Sequence, residues 1–359
     1  MKGSVVRKKF FKDPWAILSS LYILALLFVA FFAYQIAPDN TSNANQMHLS
    51  IHSKNPGFNT RLLLVYNALG TSQNNSFFGG KTNGVIEIPI LEYEILADGV
   101  RYRPYGAPED YFELVETSKF KFPPLSAEFE KHHIREKSFT LGTDKYGRDL
   151  LSRLIIGSRI SLSIGIIAVF ISLLIGVVLG ALAGFFGGYL DKAIVWVINV
   201  FWSIPTLLMV IAITLALGRG FWQVFIAVGL TMWVEVARIV RGQVLSLKEK
   251  TFVKAAQTLG FRKIRVIWHH ILPLIIPPLI VVSAANFASA ILIESGLSFL
   301  GIGAQPPVPS WGGMVKDHFR YLLLGKPYLT LLPGLAIMSL VLAFMTLGNS
   351  LRDILDVKH

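Results

Sequence analysis

The chain reads as an all-α polytopic membrane protein of six transmembrane helices, with a small mixed or β-rich extracytoplasmic domain between the first two. Three observations lead there. Of 359 residues, 53% are hydrophobic and only 16% charged, and mean hydropathy is +0.55, too apolar for a typical soluble domain. Apolar runs of about 20 residues, the length that crosses a bilayer, recur along the sequence. Positive charge gathers in two segments, with five basic residues against one acid in 1–14 and eight against one in 238–273. The polar stretch 38–150 instead holds twelve basic and fourteen acidic residues. By the positive-inside rule both basic segments are cytoplasmic and 38–150 lies outside. That placement accounts for the net charge of +12 without nucleic acid. The lack of cysteine excludes disulfides, thiolate metal sites and cysteine nucleophiles.

Taken in order, residues 1–37 form a basic leader and the first helix, 38–140 the extracytoplasmic domain, and 141–359 the membrane domain with its cytoplasmic loop 241–273. The first span, 15–37, is longer than the ~7–15 apolar residues of a signal peptide and has no small-x-small cleavage site after it. It is expected to be retained, with its N-terminus inside. Residues 39–46 are polar and Asn-rich, which suggests a linker. Residues 84–102 read as strands, with a hairpin turn at Asp98-Gly99 and an edge position implied by Pro89. Gly79-Gly80-Lys81-Thr82 looks like the end of a phosphate-binding loop, but Asn75 stands where the first glycine is needed, so a surface turn is expected.

Ahead of the second span, Gly142 and Gly147 suit tight turns and Asp149 can cap an amphipathic helix. Arg153 and Arg159 can hold headgroups or carboxylates. Asp144, Asp149 and His132-His133 lack the spacing of a hydrolytic metal site, and no metal is expected. The second span, about 161–186, carries Gly165, Gly176, Gly180 and Gly184, small residues that let helices approach closely in lipid. The third covers about 193–217 with a kink at Pro205, and Gly218-Arg219-Gly220 turns outside. The fourth covers about 221–239, with Glu235 near its inner end; a boundary ion pair with Arg238 or Arg241 is expected over a proton-carrying role. The fifth, about 274–292, is softened by Pro277-Pro278, and the sixth covers about 329–347. Both termini are then cytoplasmic.

The segment 251–273 joins dense positive charge to a narrow apolar face. Phe252, Ala255, Ala256 and Leu259 fall at i, i+3, i+4 and i+7, and Gly260 can end that helix in a left-handed conformation. The segment resembles the EAA loop of ABC importer permeases, in which Glu-Ala-Ala is followed by three residues, Gly, nine residues and Ile-x-Leu-Pro. Ala255, Ala256, Gly260, Leu272 and Pro273 match at that spacing, while Lys254 stands in place of Glu and His270 in place of Ile. Two further stretches resemble the oligopeptide/dipeptide branch of these permeases. The first lies before the second span and includes Gly142, Thr143, Asp144, Gly147, Arg148, Asp149, Ser152, Arg153, Gly157, Arg159 and Ser161. The second is 294–311, with Glu294, Ser295, Gly301, Pro306, Pro307 and Trp311, whose Gly and Pro content suggests a re-entrant or lid-like outer segment.

The resemblance implies the type I importer (MetI-like) fold and a permease subunit of an ATP-driven importer for peptides or a related small solute. It further implies a second permease subunit, two cytoplasmic ATPases that carry ATP and magnesium, an extracytoplasmic solute-binding protein, and a place in the cell membrane among lipids. Residues 252–260 would be the coupling helix, and the chain would bind no cofactor and do no chemistry itself. The residues alone leave two other classes open. An ion-coupled secondary transporter would need charges within the spans, which are almost uncharged. A membrane-embedded hydrolase would need a nucleophile and base on facing helices.

Overall fold

The computed structural model describes residues 2–66, 75–81, 84–126, 128–218 and 220–355. It divides into two compact units: 1–28, 160–305 and 334–359 form the first, and 29–159 with 306–333 the second. After a basic nine-residue helix, Lys2–Phe10, the main helices are α1 (Pro14–Phe31), α2 (Leu150–Phe186), α3 (Gly188–Trp202), α4 (Thr206–Leu217), α5 (Phe221–Lys248), α6 (Thr251–Thr258), α7 (Leu272–Leu300), α8 (Trp311–His318) and α9 (Tyr328–Leu355). Among the described residues, five helical stretches can cross a bilayer by length and composition, and α3 with α4 makes a sixth when the pair is taken as one span bent by 93°. The six-span expectation agrees with this.

Capping chemistry sets several helix ends. Asp13 Oδ1 accepts the backbone N–H groups of Trp15 (3.0 Å) and Ala16 (3.3 Å), so Asp13-Pro14 is the cap and first residue of α1. α2 begins at Leu150, eleven residues before the apolar run that marks it in the sequence, because Asp149 caps it there. At 1.5 Å per residue its 37 residues reach about 55 Å, well beyond the hydrocarbon thickness. The kink expected at Pro205 is a complete break. Proline lacks the N–H that would continue the ladder and holds Ile204 out of helical geometry.

In the first unit, α2 packs on α5 with almost no space between backbones. A Cβ added at Gly176 would sit 2.6 Å from Val236 Cβ, at Gly180 2.4 Å from Ala237 O, and at Gly184 2.8 Å from Val244 Cβ. Gly165 likewise admits the Phe287 ring of α7, which stacks on Phe344 of α9 at 3.8 Å.

The second unit contains a five-stranded antiparallel sheet of β1 (Phe58–Tyr66), β2 (Val85–Ile95), β3 (Gly99–Pro104), β4 (Glu113–Glu116) and β5 (Ile134–Phe139), in the order β4-β3-β2-β1-β5. Leu63, Val65, Ile90, Val100, Tyr102, Val115, Phe120 and Phe129 form its core. The β2–β3 turn lies at Asp98-Gly99, where Leu96 N donates to Gly99 O at 2.9 Å. Pro89 is not on an edge: β2 lies between β3 and β1. Its missing N–H is tolerated because pairing with β3 stops at Ile90–Pro104 beside a register shift, and Pro89 O accepts from Tyr105 N just beyond.

Nor are residues 39–46 a linker. Asp39 and Ala44 are buried, Asn43 and Ala44 have left-handed φ of 61° and 44°, and Asp39 N donates to Ser152 Oγ at 2.8 Å. The polar side chains serve tight turns rather than solvent; Asp39 Oδ1 accepts both Thr41 N and Thr41 Oγ1. Gly80-Lys81 pairs with Asn75-Ser76 in a two-residue ribbon. Thr82 and Arg219, each part of a turn expected from sequence, lie outside the described residues.

Glu87 on β2 lies 3.3 Å from Lys137 Nζ of β5 and 3.5 Å from His48 Nε2. Burial alone would raise its carboxyl, but the adjoining His48 imidazole and the Lys137 ammonium, which donates to it, outweigh that and bring it down to about 2. A depressed carboxyl stabilises the fold above its ordinary value of 4.5 and loses that contribution as pH falls toward 2. Relative to intrinsic amide rates, the hydrogen-exchange protection of β1, β2 and β5 should therefore fall as pH drops below about 4.5, and Glu87→Gln should flatten that dependence.

Candidate functional site

The 251–273 segment is built by chain reversal. α5 runs on to Lys248, Lys250 N donates back to Leu247 O at 3.0 Å, and α6 starts at Thr251. Gly260 ends the turn with φ of +78°, and Phe261 N reaches Ala256 O at 3.2 Å, the six-to-one bond of a left-handed helix stop. Nothing lies within 4 Å of a Cβ built at Gly260, so conformation and not space calls for glycine. A short helix, Lys263–Val266, and one π-helical turn, Ile267–Ile271, lead into α7, where Leu272 and Pro273 form the first turn. Proline is tolerated there because that N–H would have no partner in the helix. His270 tilts against the Phe261 ring at 5.8 Å.

The single apolar face expected for α6 is two faces. Val253 and Ala256 point inward and are buried with Val240 and Val244 of α5, Val266, Ile267 and Ile271, and Ile275 of α7. Phe252, Ala255 and Leu259 point outward, and Leu259 is 76% exposed. Ala256 therefore belongs to the protein's own core. Sequence reasoning missed Val253; its spacing of three from Ala256, together with the valines and isoleucines on both flanks, was the available signal. Lys254 Nζ lies 2.9 Å from Glu249 Oε2 in a solvent-exposed pair.

The signature before α2 forms a buried polar knot. Asp144, fully buried, accepts through Oδ1 from the backbone of Tyr146 (2.8 Å) and Arg148 (3.0 Å), and through Oδ2 from Arg148 Nε (2.7 Å). Arg153 Nε stands 3.8 Å from the same carboxylate, and its Nη1 donates to Asn43 O. Arg148 also donates to Asn45 Oδ1 at 3.0 Å. Thr143 Oγ1 donates to Ile51 O and accepts from Lys54 N. Gly142 and Gly147 adopt φ of +78° and +73°, and an added Cβ would fall 2.2 Å from Lys54 O and 1.8 Å from His48 O. Asp149 Oδ2 accepts Ser152 N at 2.8 Å, and burial pushes its carboxyl up. Arg159 donates to Phe78 O at 2.7 Å with its guanidinium over Tyr34. These arginines hold protein groups, and Asp144 serves as the counter-charge of Arg148 and Arg153.

The outer segment starts later than the sequence suggested. Glu294 and Ser295 are still within α7, Glu294 is buried, and Ser298 Oγ donates to Glu294 Oε1 at 2.6 Å. Left-handed Gly301 stops the helix, and Gln305 Nε2 donates to Gly301 O and Gly303 O. Pro306 and Pro307 belong to the irregular stretch that ends at Ser310, the cap of α8, whose Oγ accepts Gly313 N. Trp311 is buried: its Nε1 donates to Leu154 O at 2.9 Å, and its ring fills the space beside Gly157. In α8, His318 donates from Nδ1 to Met314 O and accepts at Nε2 from Lys145 N, an arrangement that needs neutral imidazole, and burial lowers its pKa.

The ion pair expected for Glu235 does not form. Arg241 instead binds Asp191 of α3 in two bonds of 2.6 and 2.8 Å, and Arg238 lies over the Trp202 ring at 3.9 Å. Asp191 is fifty residues from Arg241, beyond the reach of a local spacing rule.

Residues 176–358 match the family described as binding-protein-dependent transport system inner membrane component. A dipeptide transport system permease protein DppC from Alkalihalophilus pseudofirmus is 40% identical over 217 residues, 60% of this chain and 71% of the relative. An oligopeptide transport system permease protein OppC from Bacillus subtilis is 39% identical over 62% of this chain and 72% of its own length. A glutathione transport system permease protein GsiD from Pectobacterium atrosepticum is 38% identical, with 71% and 79% covered. Among solved structures, an inward-facing form of the MetNI methionine ABC transporter aligns at a TM-score of 0.48 and 17% identity, over 58% of this chain and 98% of that one.

Asp144→Asn leaves two buried guanidinium groups without their shared counter-charge, a loss of ~3–5 kcal/mol for a buried pair. Thermal unfolding in detergent should fall by many degrees, whereas Lys254→Ala at the exposed pair should leave it unchanged.

Proposed function

Since the chain belongs to the family of binding-protein-dependent transport system inner membrane components, we propose that it forms half of the translocation pathway of an ATP-driven importer of peptides or a related small solute. Membership makes it a multi-pass inner-membrane permease subunit of the type I importer fold, working with ATPases and a binding protein. The finer reading is a heterodimer with a second permease, two cytoplasmic ATPases that hold the ATP and magnesium, and no cofactor or catalytic residue on this chain. The basic segments 1–14 and 238–273 support cytoplasmic termini and loop, with 38–140 outside.

The observation that carries this reading is the split of α6 into an inward and an outward face. Phe252, Ala255 and Leu259 form an exposed apolar surface on a short helix, suited to a groove in a cytoplasmic ATPase. Val253 and Ala256 fix the other face to α5 and α7. A push on the outer face therefore moves α5 and α7 as a packed body, which is what alternating access driven by a partner requires. The substrate class rests on relatives whose names are those of dipeptide, oligopeptide and glutathione permeases.

The test separates the two faces. Leu259→Asp should keep the melting temperature, lose the co-purifying ATPase in a pull-down from gently solubilised membranes, and reduce ATP-driven peptide uptake by roughly tenfold or more. Ala256→Glu should lower the melting temperature, because its side chain enters a packed core. Full uptake and ATPase retention in Leu259→Asp would overturn the coupling role.

A further inference from the structure

Two phenylalanines of the 75–81 ribbon fold back onto the end of α1. In the second unit the Phe31 ring lies 5.7 Å from Phe77 and 5.5 Å from Phe78, and Phe32 lies 6.0 Å from Phe77. Packing on one another does not hide these rings: Phe31, Phe77 and Phe78 keep 52%, 44% and 55% of their surface exposed. We propose that Phe77 and Phe78 form a foot of the extracytoplasmic domain, inserted among the phospholipids of the outer leaflet. The foot goes beyond the permease reading and takes from it only the placement of α1 across the bilayer.

Two spans place the rings at the edge of the hydrocarbon. α1 starts at Pro14, and its 18 residues rise about 27 Å to Phe31, against a hydrocarbon thickness of ~30 Å. In α2, Arg159 is the last charged residue before an apolar stretch that runs to Phe186. Its Nη1 donates to Phe78 O at 2.7 Å, and its guanidinium lies 5.5 Å from the Phe78 ring. The rings also continue an exposed face of α1. Leu21, Leu24, Phe28 and Phe31 follow one another at intervals of three, four and three and are all exposed, so they share one side of the helix. Among the described residues α1 is the least buried of the five long spans, and such a face meets acyl chains. Phe77 and Phe78 widen it at the end remote from the basic leader.

Phospholipid also fits the charges around the rings. No acid stands between Phe77 and Lys81, Lys81 is exposed, and Arg159 borders Phe78, so cations flank the apolar surface and suit lipid phosphates. Exposed rings at the acyl boundary with cations beside them make an interfacial anchor. The attachment of the foot is stiff. Lys81 N donates to Asn40 O at 2.9 Å, and a Cβ at Gly80 would lie 2.8 Å from the Tyr34 ring and 2.9 Å from Asn40 O. The same stretch of chain is held a few residues on, where Arg153 donates to Asn43 O and Arg148 to Asn45 Oδ1. Seating the rings therefore sets the height of the β-sheet above the bilayer.

The chain has no cysteine, so a nitroxide label can be placed at one position at a time. Phe77→Cys and Phe78→Cys, each labelled and reconstituted in nanodiscs of phosphatidylethanolamine and phosphatidylglycerol, are read by collision of the label with oxygen and with a water-soluble nickel chelate. Each is measured on the full chain alone and with its co-purifying partners. Phe28→Cys on α1 supplies the lipid reference and Glu116→Cys, at an exposed position on β4, the water reference. At 77 and 78 the oxygen-to-nickel ratio should approach that of Phe28→Cys and exceed that of Glu116→Cys severalfold. A lipid-like ratio at either position that persists with the partners supports the foot. Its absence at both overturns the proposal, whether the labels meet water or are shielded by a protein partner. If Phe28→Cys is lipid-like while neither 77 nor 78 is, the foot is removed and the span stands, and with it the permease reading.

Discussion

The packing of α5 against its neighbours is the constraint on which the helical unit depends. Val236, Val240 and Val244 repeat at four-residue intervals and meet the Gly176, Gly180 and Gly184 row of α2. In lipid the hydrophobic effect gives no net drive between helices, so close van der Waals fit has to supply it. β-branched side chains set into glycine hollows do this with little loss of rotamer freedom, because valine is already stiff in a helix. The same valines also bound the cluster that receives Val253 and Ala256. One helix thus joins a close-packed interface of the bundle to the chain reversal at 249–260, and the loop inherits the rigidity of the spans.

In the second unit a different interaction has the equivalent place. Asp144 gathers two backbone amides and two arginines in a site closed to solvent, and the arginines reach on to Asn43 and Asn45. Burying such a group is expensive unless every charge is matched, and its contribution is to fix one arrangement of chain more than to add stability. The left-handed glycines at 142 and 147 belong to the same design, since their Cα atoms abut the carbonyls of Lys54 and His48. What the sequence presents as a row of charges and glycines is, physically, the lock between 39–54 and 142–159.

The spans were legible because apolar length and basic flanks are local and additive. Their ends were less so. Asp149 was readable as a cap, yet α2 was placed from its apolar run and so began eleven residues late. Pro205 announced a kink, but a 93° bend depends on neighbours that accept the broken ladder, which no local pattern encodes. For the candidate site, the position of α6 and its glycine stop were readable, and the side that Ala256 faces was not. A helix that packs on two sides satisfies one periodicity with two surfaces, and only the flanking valines tell them apart. The misreadings at Pro89, at 39–46 and at Glu235 share a cause. Each turned on a partner distant in sequence: the early end of β3, Ser152, and Asp191.

The lysine that replaces glutamate in the EAA pattern bears on which force would dock α6. Lys254 pairs with Glu249 at 2.9 Å, but both side chains are more than half exposed, so water and salt screen the attraction. Phe252 and Leu259 expose 43% and 76% of their surface, and removing a large apolar side chain from water is worth ~1.5–3 kcal/mol when complete. Reversing one surface charge changes the local potential and with it the choice among partners. It leaves the apolar area offered for burial untouched. Affinity for an ATPase groove would then come from Phe252, Ala255 and Leu259, and the substitution at Lys254 would be felt as specificity, through whichever charge the partner sets opposite it.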